Sequence, residues 1–474
     1  MSSVRISTLK AEQLESYLVS LTPAAARFLI REVELDRLKG GNSYDHDLVL
    51  KYARHALQMQ GSHFERVGTP LRLLCEPFAD ILVDSTTARK QGGRISRSSI
   101  LPMWRWLTED VAPERFAEMD RDLSLALLNE DRERIQRLTG QLHAMAAEKI
   151  AAALRGLGPD TKPYFRMVSQ LGSARIVEDV LDIAGFLEKA PLLLEIRERL
   201  PAHIESLGRE ETAAAFAYYK QISDRTPEDA HLLLLILASR LRRPSEVLRI
   251  VTVIARSEKD ADIRQTPMAM VCECLLHDME VAALGALQAI GSRAPIALTR
   301  KFLAHFFEIA EAFVGLMDVD MKGVWGQRIV AIRNALSTNI RIEIESGPRL
   351  VKAALYGNRR RPLGPSATTV ALPDQKAIED AEYTVRLMLA VRPYLSQIPI
   401  NAEFASIQST VLSFIESVGE ITIEDIRRSD GEERGGIEAY MSAIADFNEL
   451  VFGAETAELL RRRARAAAQQ NTGS

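Results

Sequence analysis

The sequence is poor in cysteine, with only Cys75, Cys272 and Cys274 in 474 residues. An odd number cannot pair completely within one chain, and residues two apart on a helix do not face each other. A disulfide framework is thereby excluded, and a reducing, cytoplasmic setting is the expectation. Long apolar runs are also missing. Stretches such as Ala230 to Ser239 fall far short of the roughly 20 residues a membrane span needs, and residues 1–10 hold no apolar core of a secretion signal. Nor is there an excess of one charge. A formal net charge of -4 gives no global pull toward nucleic acid or anionic lipid, so binding to either needs a local patch.

The common catalytic signatures are missing too. The chain has no GxxxxGK[ST] phosphate loop, no GxGxxG turn, no GxSxG elbow and no HExxH helix. Cys272, Cys274 and His277 stop one ligand short of a tetrahedral zinc site, and no second pair stands at finger spacing. The thiols read more simply as small buried hydrophobes. No cofactor is called for.

What is present is the material of a folded, helical protein. Hydrophobic residues make up 47% and charged residues 26%, enough apolar surface for a packed chain whose length implies two or three units. Thr-Pro pairs at Thr22-Pro23, Thr69-Pro70, Thr226-Pro227 and Thr266-Pro267 suit helix starts, with threonine as cap and proline at the first helical position. Apolar residues then recur at three and four positions. Examples are Phe302, Leu303, Phe306, Ile309, Phe313, Val314 and Met317; Ile400, Phe404, Ile407, Val411, Phe414 and Val418; and Ile437, Tyr440, Met441, Ile444, Phe447 and Val451. From Phe116 to Leu154 a narrower seam fits a hairpin turning near Asn129 or one long helix. Only two stretches compete with an all-helical reading. Ile340, Ile342 and Ile344 alternate with charged residues and Thr368 to Leu372 is β-branched, the pattern of a short ribbon, although Ile329, Ile332, Leu336, Ile340 and Ile344 also continue a helical stripe.

The fold expected is all-α, an irregular α-solenoid or stacked helical hairpins with a C-terminal helical bundle. Pro191, Pro227, Pro267 and Pro295 recur at about the length of a helix pair, without any repeat at the residue level. The expected divisions are an N-terminal helical region over 1–157, a middle array over 158–356 and a Gly/Pro-rich linker over 357–375. A bundle over 376–458 and an Arg/Ala-rich tail over 459–474 that frays from its helix complete the chain.

One short constellation carries chemistry. The run Cys274-Leu275-Leu276-His277-Asp278 resembles, in its Leu-Leu-His-Asp core, the dyad helix of HD-type metal-dependent phosphohydrolases, an all-helical enzyme family. The resemblance implies His277 and Asp278 as metal ligands, His231 as the upstream histidine, Asp318 or Asp320 as the downstream aspartate, and a metal-activated water attacking a phosphate ester. It spans a few residues and departs from the family at Met279-Glu280, where a small apolar residue and glycine are usual. Without the metal, His277 and Asp278 read as cap or solvated residues at a helix end.

Other residues suit binding. Trp104 and Trp106 flank Arg105 after the basic loop Arg89 to Arg97, and tryptophan and arginine dominate binding hot spots. Two-residue spacing sends the two indoles to different sides of a helix. Arginine clusters stand at Arg89, Lys90, Arg94 and Arg97, at Arg359, Arg360 and Arg361, and at Arg461, Arg462, Arg463 and Arg465, where guanidinium groups could meet phosphate. No aromatic platform accompanies them, and solvated linkers and tails in the arginine-over-lysine, alanine-rich composition of a GC-rich bacterial genome explain them more simply. His305 reads as a solvated flank residue, and His46 as the start of a helix capped by its neighbouring acids. The expected function is therefore a helical protein-interaction module, a scaffold or adaptor binding another protein or a second copy of itself. The alternatives are the metal-dependent phosphohydrolase and nucleic-acid association through the arginines.

Overall fold

The computed structural model describes residues 17–18, 21–38, 45–59, 69–84, 90, 92–158, 161–357, 370–429 and 431–470. It is 81% helical with almost no strand, which settles the class as all-α. The chain divides into two compact units, Met1–Arg242 and Arg243–Ser474. This division falls inside the segment expected as one middle array, and the expected break near residue 157 lies inside the first unit.

The first unit carries α1 (Pro23–Leu38), α2 (His46–Met59), α3 (Pro70–Cys75), α4 (Ile100–Arg105), α5 (Pro113–Leu128) and α6 (Arg132–Leu154). It continues through α7 (Lys162–Leu171), α8 (Ala174–Glu188), α9 (Ala190–Arg199), α10 (Arg209–Ser223) and α11 (His231–Arg240). Capping chemistry starts many of these. Thr69 accepts from the Arg72 N–H, Asp131 from that of Arg134, Thr161 from that of Tyr164 and Ser173 from that of Ile176, each filling an orphan donor of a first turn. At Thr22 the hydroxyl likewise accepts from the Ala25 N–H at 3.3 Å. The seam from Phe116 to Leu154 is a hairpin, since α5 stops at Leu128, Glu130 takes φ 55° and Asp131 caps α6. Gly172 ends α7 with φ 99°, a conformation that glycine alone adopts without strain. Thr226 departs from expectation. Its hydroxyl donates to the Ile222 carbonyl, and four turn residues separate it from α11 at His231.

Among the described residues the only sheet is a two-residue parallel ribbon, β1 (Leu82–Val83) with β2 (Ile95–Ser96), in register Leu82 to Ile95 and Val83 to Ser96. It is pinned by a charge network around Asp179, which is buried in α8. The Lys90 ammonium donates to the Arg94 carbonyl and to Asp179 Oδ1, both at 2.6 Å, while Asp179 Oδ2 accepts from the Ser99 hydroxyl and the Ser96 N–H. Asp179 is 1% exposed. A second network joins Asp80 to Arg197 and Arg240, whose guanidinium also reaches the carbonyls of Arg197 and Leu200.

The second unit carries α12 (Leu248–Ala255), α13 (Asp260–Ile263), α14 (Ala269–Gly291), α15 (Ile296–Leu316), α16 (Val324–Glu345) and α17 (Gly347–Tyr356). It closes with α18 (Gln375–Val391), α19 (Asn401–Arg428), α20 (Gly431–Phe452) and α21 (Ala454–Gln470). The helical stripe wins over the ribbon pattern in α16. Ile340 and Ile344 are fully buried and Ile342 is 63% exposed, a period of four that no strand would give. Thr266 sits a turn early, its hydroxyl accepting from the Met268 N–H before α14 begins at Ala269.

A single apolar core runs through the last helices and takes in Val351, Ala354 and Leu355 of α17 together with Ala381 and Val385 of α18. The Gly/Pro-rich segment between them therefore connects two helices of one core, and its residues 358–369 lie outside the described residues. The expected tail is corrected as well. Helix α21 runs to Gln470, with Ala457, Leu460, Ala464 and Ala467 buried at three-and-four spacing, so packing holds what composition suggested would fray.

Candidate protein-binding face

The sequence Ile100 to Val111 forms one rod in two windings. A 3-10 turn over Arg97–Ser99 leads into α4, and from Trp106 to Val111 the chain widens into a π-helix. The widening shows in the bond from the Ala112 N–H to the Leu107 carbonyl, five residues back, at 3.2 Å. The Thr108 hydroxyl donates to the Trp104 carbonyl at 2.9 Å and approaches that of Arg105, satisfying acceptors near the change of winding. Its packing result is specific. Trp106 and Leu107, consecutive in sequence, are both buried, and Met103 lies fully buried one turn before them.

The opposite side of α4 stays in solvent. Leu101 is 50% exposed, Trp104 is half-buried and Arg105 is exposed. Spacings of three and four make these three neighbours on one helical face. The Trp104 ring meets Phe116 edge-on, with centroids 5.9 Å apart, and its indole N–H has no hydrogen-bond partner among the described residues. The Arg105 guanidinium likewise makes no ion pair among them. Glu109 and Asp110, both exposed, follow one turn later on the π segment. The structure thus splits the tryptophan pair: Trp106 belongs to the core, and Trp104 with Arg105 stays available at the surface.

The C-terminal arginines have a different setting. Arg463 makes two bonds of 2.6 Å to Glu420, Arg461 pairs with Asp446 and Glu449, and Arg462 pairs with Glu458. Beside them a shallow groove of about 510 Å³ runs between α19 and α21, lined by polar residues such as Ser413, Glu416 and Ser417, with Leu459 the exposed apolar exception. Arg359, Arg360 and Arg361 lie outside the described residues, as does Arg89. Lys90 is consumed by Asp179 and Asp182, and Arg97 by an exposed contact with Asp84.

No protein-family model, curated protein or solved structure matches this chain.

The residues implied by the phosphohydrolase resemblance fall in both units. His231, in the first, is buried at the start of α11 with Nδ1 2.8 Å from the Glu228 carbonyl, and burial lowers its pKa. His277 and Asp278 lie in the middle of α14, not at its end. His277 Nδ1 faces the Glu273 carbonyl at 2.9 Å, and its Nε2 stands 4.0 Å from Glu280. Glu273 and Glu280 in turn grip Arg328 of α16, and Glu273 accepts the Trp325 indole N–H. Asp318 bridges through its backbone to Lys259, and the Asp320 carboxylate accepts from the Lys322 N–H. Among the described residues no three His, Cys, Asp or Glu side chains are grouped to hold a metal ion.

All three cysteines are buried and form no disulfide among the described residues, and burial pushes the Cys75 thiol up to about 12. His46 lies 2.8 Å from Asp36, and Asp45 accepts from the Leu48 N–H as the cap of α2. His305 stands 3.8 Å from Glu308, which takes the Ser245 hydroxyl and whose pKa is raised chiefly by burial. The buried charges Asp179 and Arg240 escaped the sequence reading. Their signal was there: Ile176 and Ile183 stand three before and four after Asp179, and Ile236 and Leu237 precede Arg240 by four and three, so both charges lie on apolar faces.

Proposed function

We propose that this chain is a protein-binding helical module and that it docks through the face formed by Leu101, Trp104 and Arg105. One observation carries the reading: an exposed leucine, a half-buried tryptophan whose indole N–H has no protein partner among the described residues, and an arginine that makes no ion pair among them stand together on one face of a short helix. Tryptophan and arginine are the residues from which binding hot spots are built, and a packed helix presents them at little entropic cost. The arginines of α21 lend less support to nucleic-acid association, because carboxylates of the same unit already hold them. The test is capture of binding partners on the immobilised chain and on the variant Leu101→Ser/Trp104→Ala/Arg105→Ala. Loss of a hot spot of about 2 kcal/mol weakens binding roughly 30-fold. Undiminished capture by the variant overturns the reading.

A further inference from the structure

We infer that this face docks a second copy of the chain, as a two-fold symmetric, antiparallel pair of Ile100–Val111 rods; the inference rests on the reading of that face as a binding surface. The charge pattern selects the occupant. Arg105 and Glu109 are four apart, the spacing at which an α-helical turn brings guanidinium and carboxylate together. Here the rod passes into π winding between them, and they form no ion pair with each other or with any other described residue. Each can gain a counter-charge only from outside the unit as described.

A wholly acidic partner would suit Arg105 and be repelled by Glu109 and Asp110; a wholly basic one would meet the reverse. A partner presenting the mirrored order suits both, and an antiparallel copy presents it by symmetry, since a two-fold contact repeats every pair reciprocally. Setting Arg105 against Glu109 of the second copy brings Glu109 against that copy's Arg105. Attraction between exposed groups of this kind weakens as salt rises.

Sedimentation equilibrium of the full chain tests it. The wild type should form a dimer whose dissociation constant rises with salt, and Arg105→Glu or Glu109→Arg should each weaken it at least tenfold. The double variant Arg105→Glu/Glu109→Arg should dimerise again, and so should a one-to-one mixture of the two single variants, because each then meets opposite charge at both contacts. Such restoration also shows that both single variants fold. A monomeric wild type, singles that dimerise unchanged, or a mixture that stays monomeric overturns the inference. If self-association fails these tests while Leu101→Ser/Trp104→Ala/Arg105→Ala still loses captured protein, the binding face stands with another occupant. If neither changes, both readings fall.

Discussion

Two arginine-bearing helices of this protein differ in what surrounds their guanidinium groups. In α21, three consecutive arginines are held by carboxylates on α19, on α20 and on α21 itself, while the helix's other face sinks Ala457, Leu460, Ala464 and Ala467 into the core. In α4, a lone arginine between two tryptophans finds no carboxylate among the described residues, and one of those tryptophans remains half in solvent. The two settings differ in what the structure leaves to be satisfied: the α21 cluster has its counter-charges within the unit, and Arg105 has none among the described residues, which is why the proposed docking face is placed on α4.

The comparison breaks first on packing. Trp106→Ala, on the buried side of the α4 rod, should cost about 3–5 kcal/mol, and Leu460→Ala in α21 about 2–5 kcal/mol, both read by urea denaturation. Leu101→Ala on the exposed side should change stability by less than about 0.5 kcal/mol. Should Leu101→Ala prove as costly as Trp106→Ala, that side of α4 is core, and the face proposed for docking does not exist.

Acid should separate the two units next. In the first unit, burial lowers the pKa of His143 and His231. A histidine depressed in the fold contributes stability above its unfolded value of about 6.5, and that contribution is lost as pH falls below it, because only the unfolded chain then takes up the proton. Glu308 in the second unit runs the other way, since its raised pKa penalises the charged form. Its contribution is full below the ordinary glutamate value of about 4.3 and is lost as pH rises through the folded value. Glu308→Gln should therefore stabilise the second unit near neutral pH and leave it unchanged at low pH. A variant less stable at pH 7 would show that the carboxylate's bond from Ser245 outweighs its burial.

The smallest effect concerns the arginines themselves. Arg463→Ala removes a bidentate but exposed pair and should cost no more than about 1 kcal/mol, with the loss shrinking in high salt. Arg105→Ala should leave monomer stability within about 0.5 kcal/mol while changing association. A stability loss at Arg105 equal to that at Arg463 would place it in an intramolecular contact and remove the contrast.

How much of this was legible in the sequence depends on whether the deciding interaction is local. Helix starts at Thr69 and Thr22, the hairpin near Asn129 and the apolar stripes of α19 and α20 follow from neighbours within a few residues, and they appear where spacing puts them. Thr226 misled because an Ile222 carbonyl one turn earlier competes for its hydroxyl. The end of α21 misled because its alanines are apolar enough to bury once α19 and α20 lie alongside, and composition cannot show who lies alongside. At the proposed docking face, Trp104 and Arg105 were visible as residue types. Their two-residue spacing already sent Trp104 and Trp106 to different sides of a helix; which side faces the core depends on what packs against it, and the residue pattern alone did not show that.

The buried thiols carry a last consequence. Cys75 sits in the first unit and Cys272 and Cys274 in the second, each shielded from solvent, and burial raises the pKa of Cys75 and Cys272 away from the reactive thiolate. Alkylating reagents reach a cysteine only when its surroundings open, so the rate of labelling at each position clocks the breathing of one half of the molecule without any engineered probe.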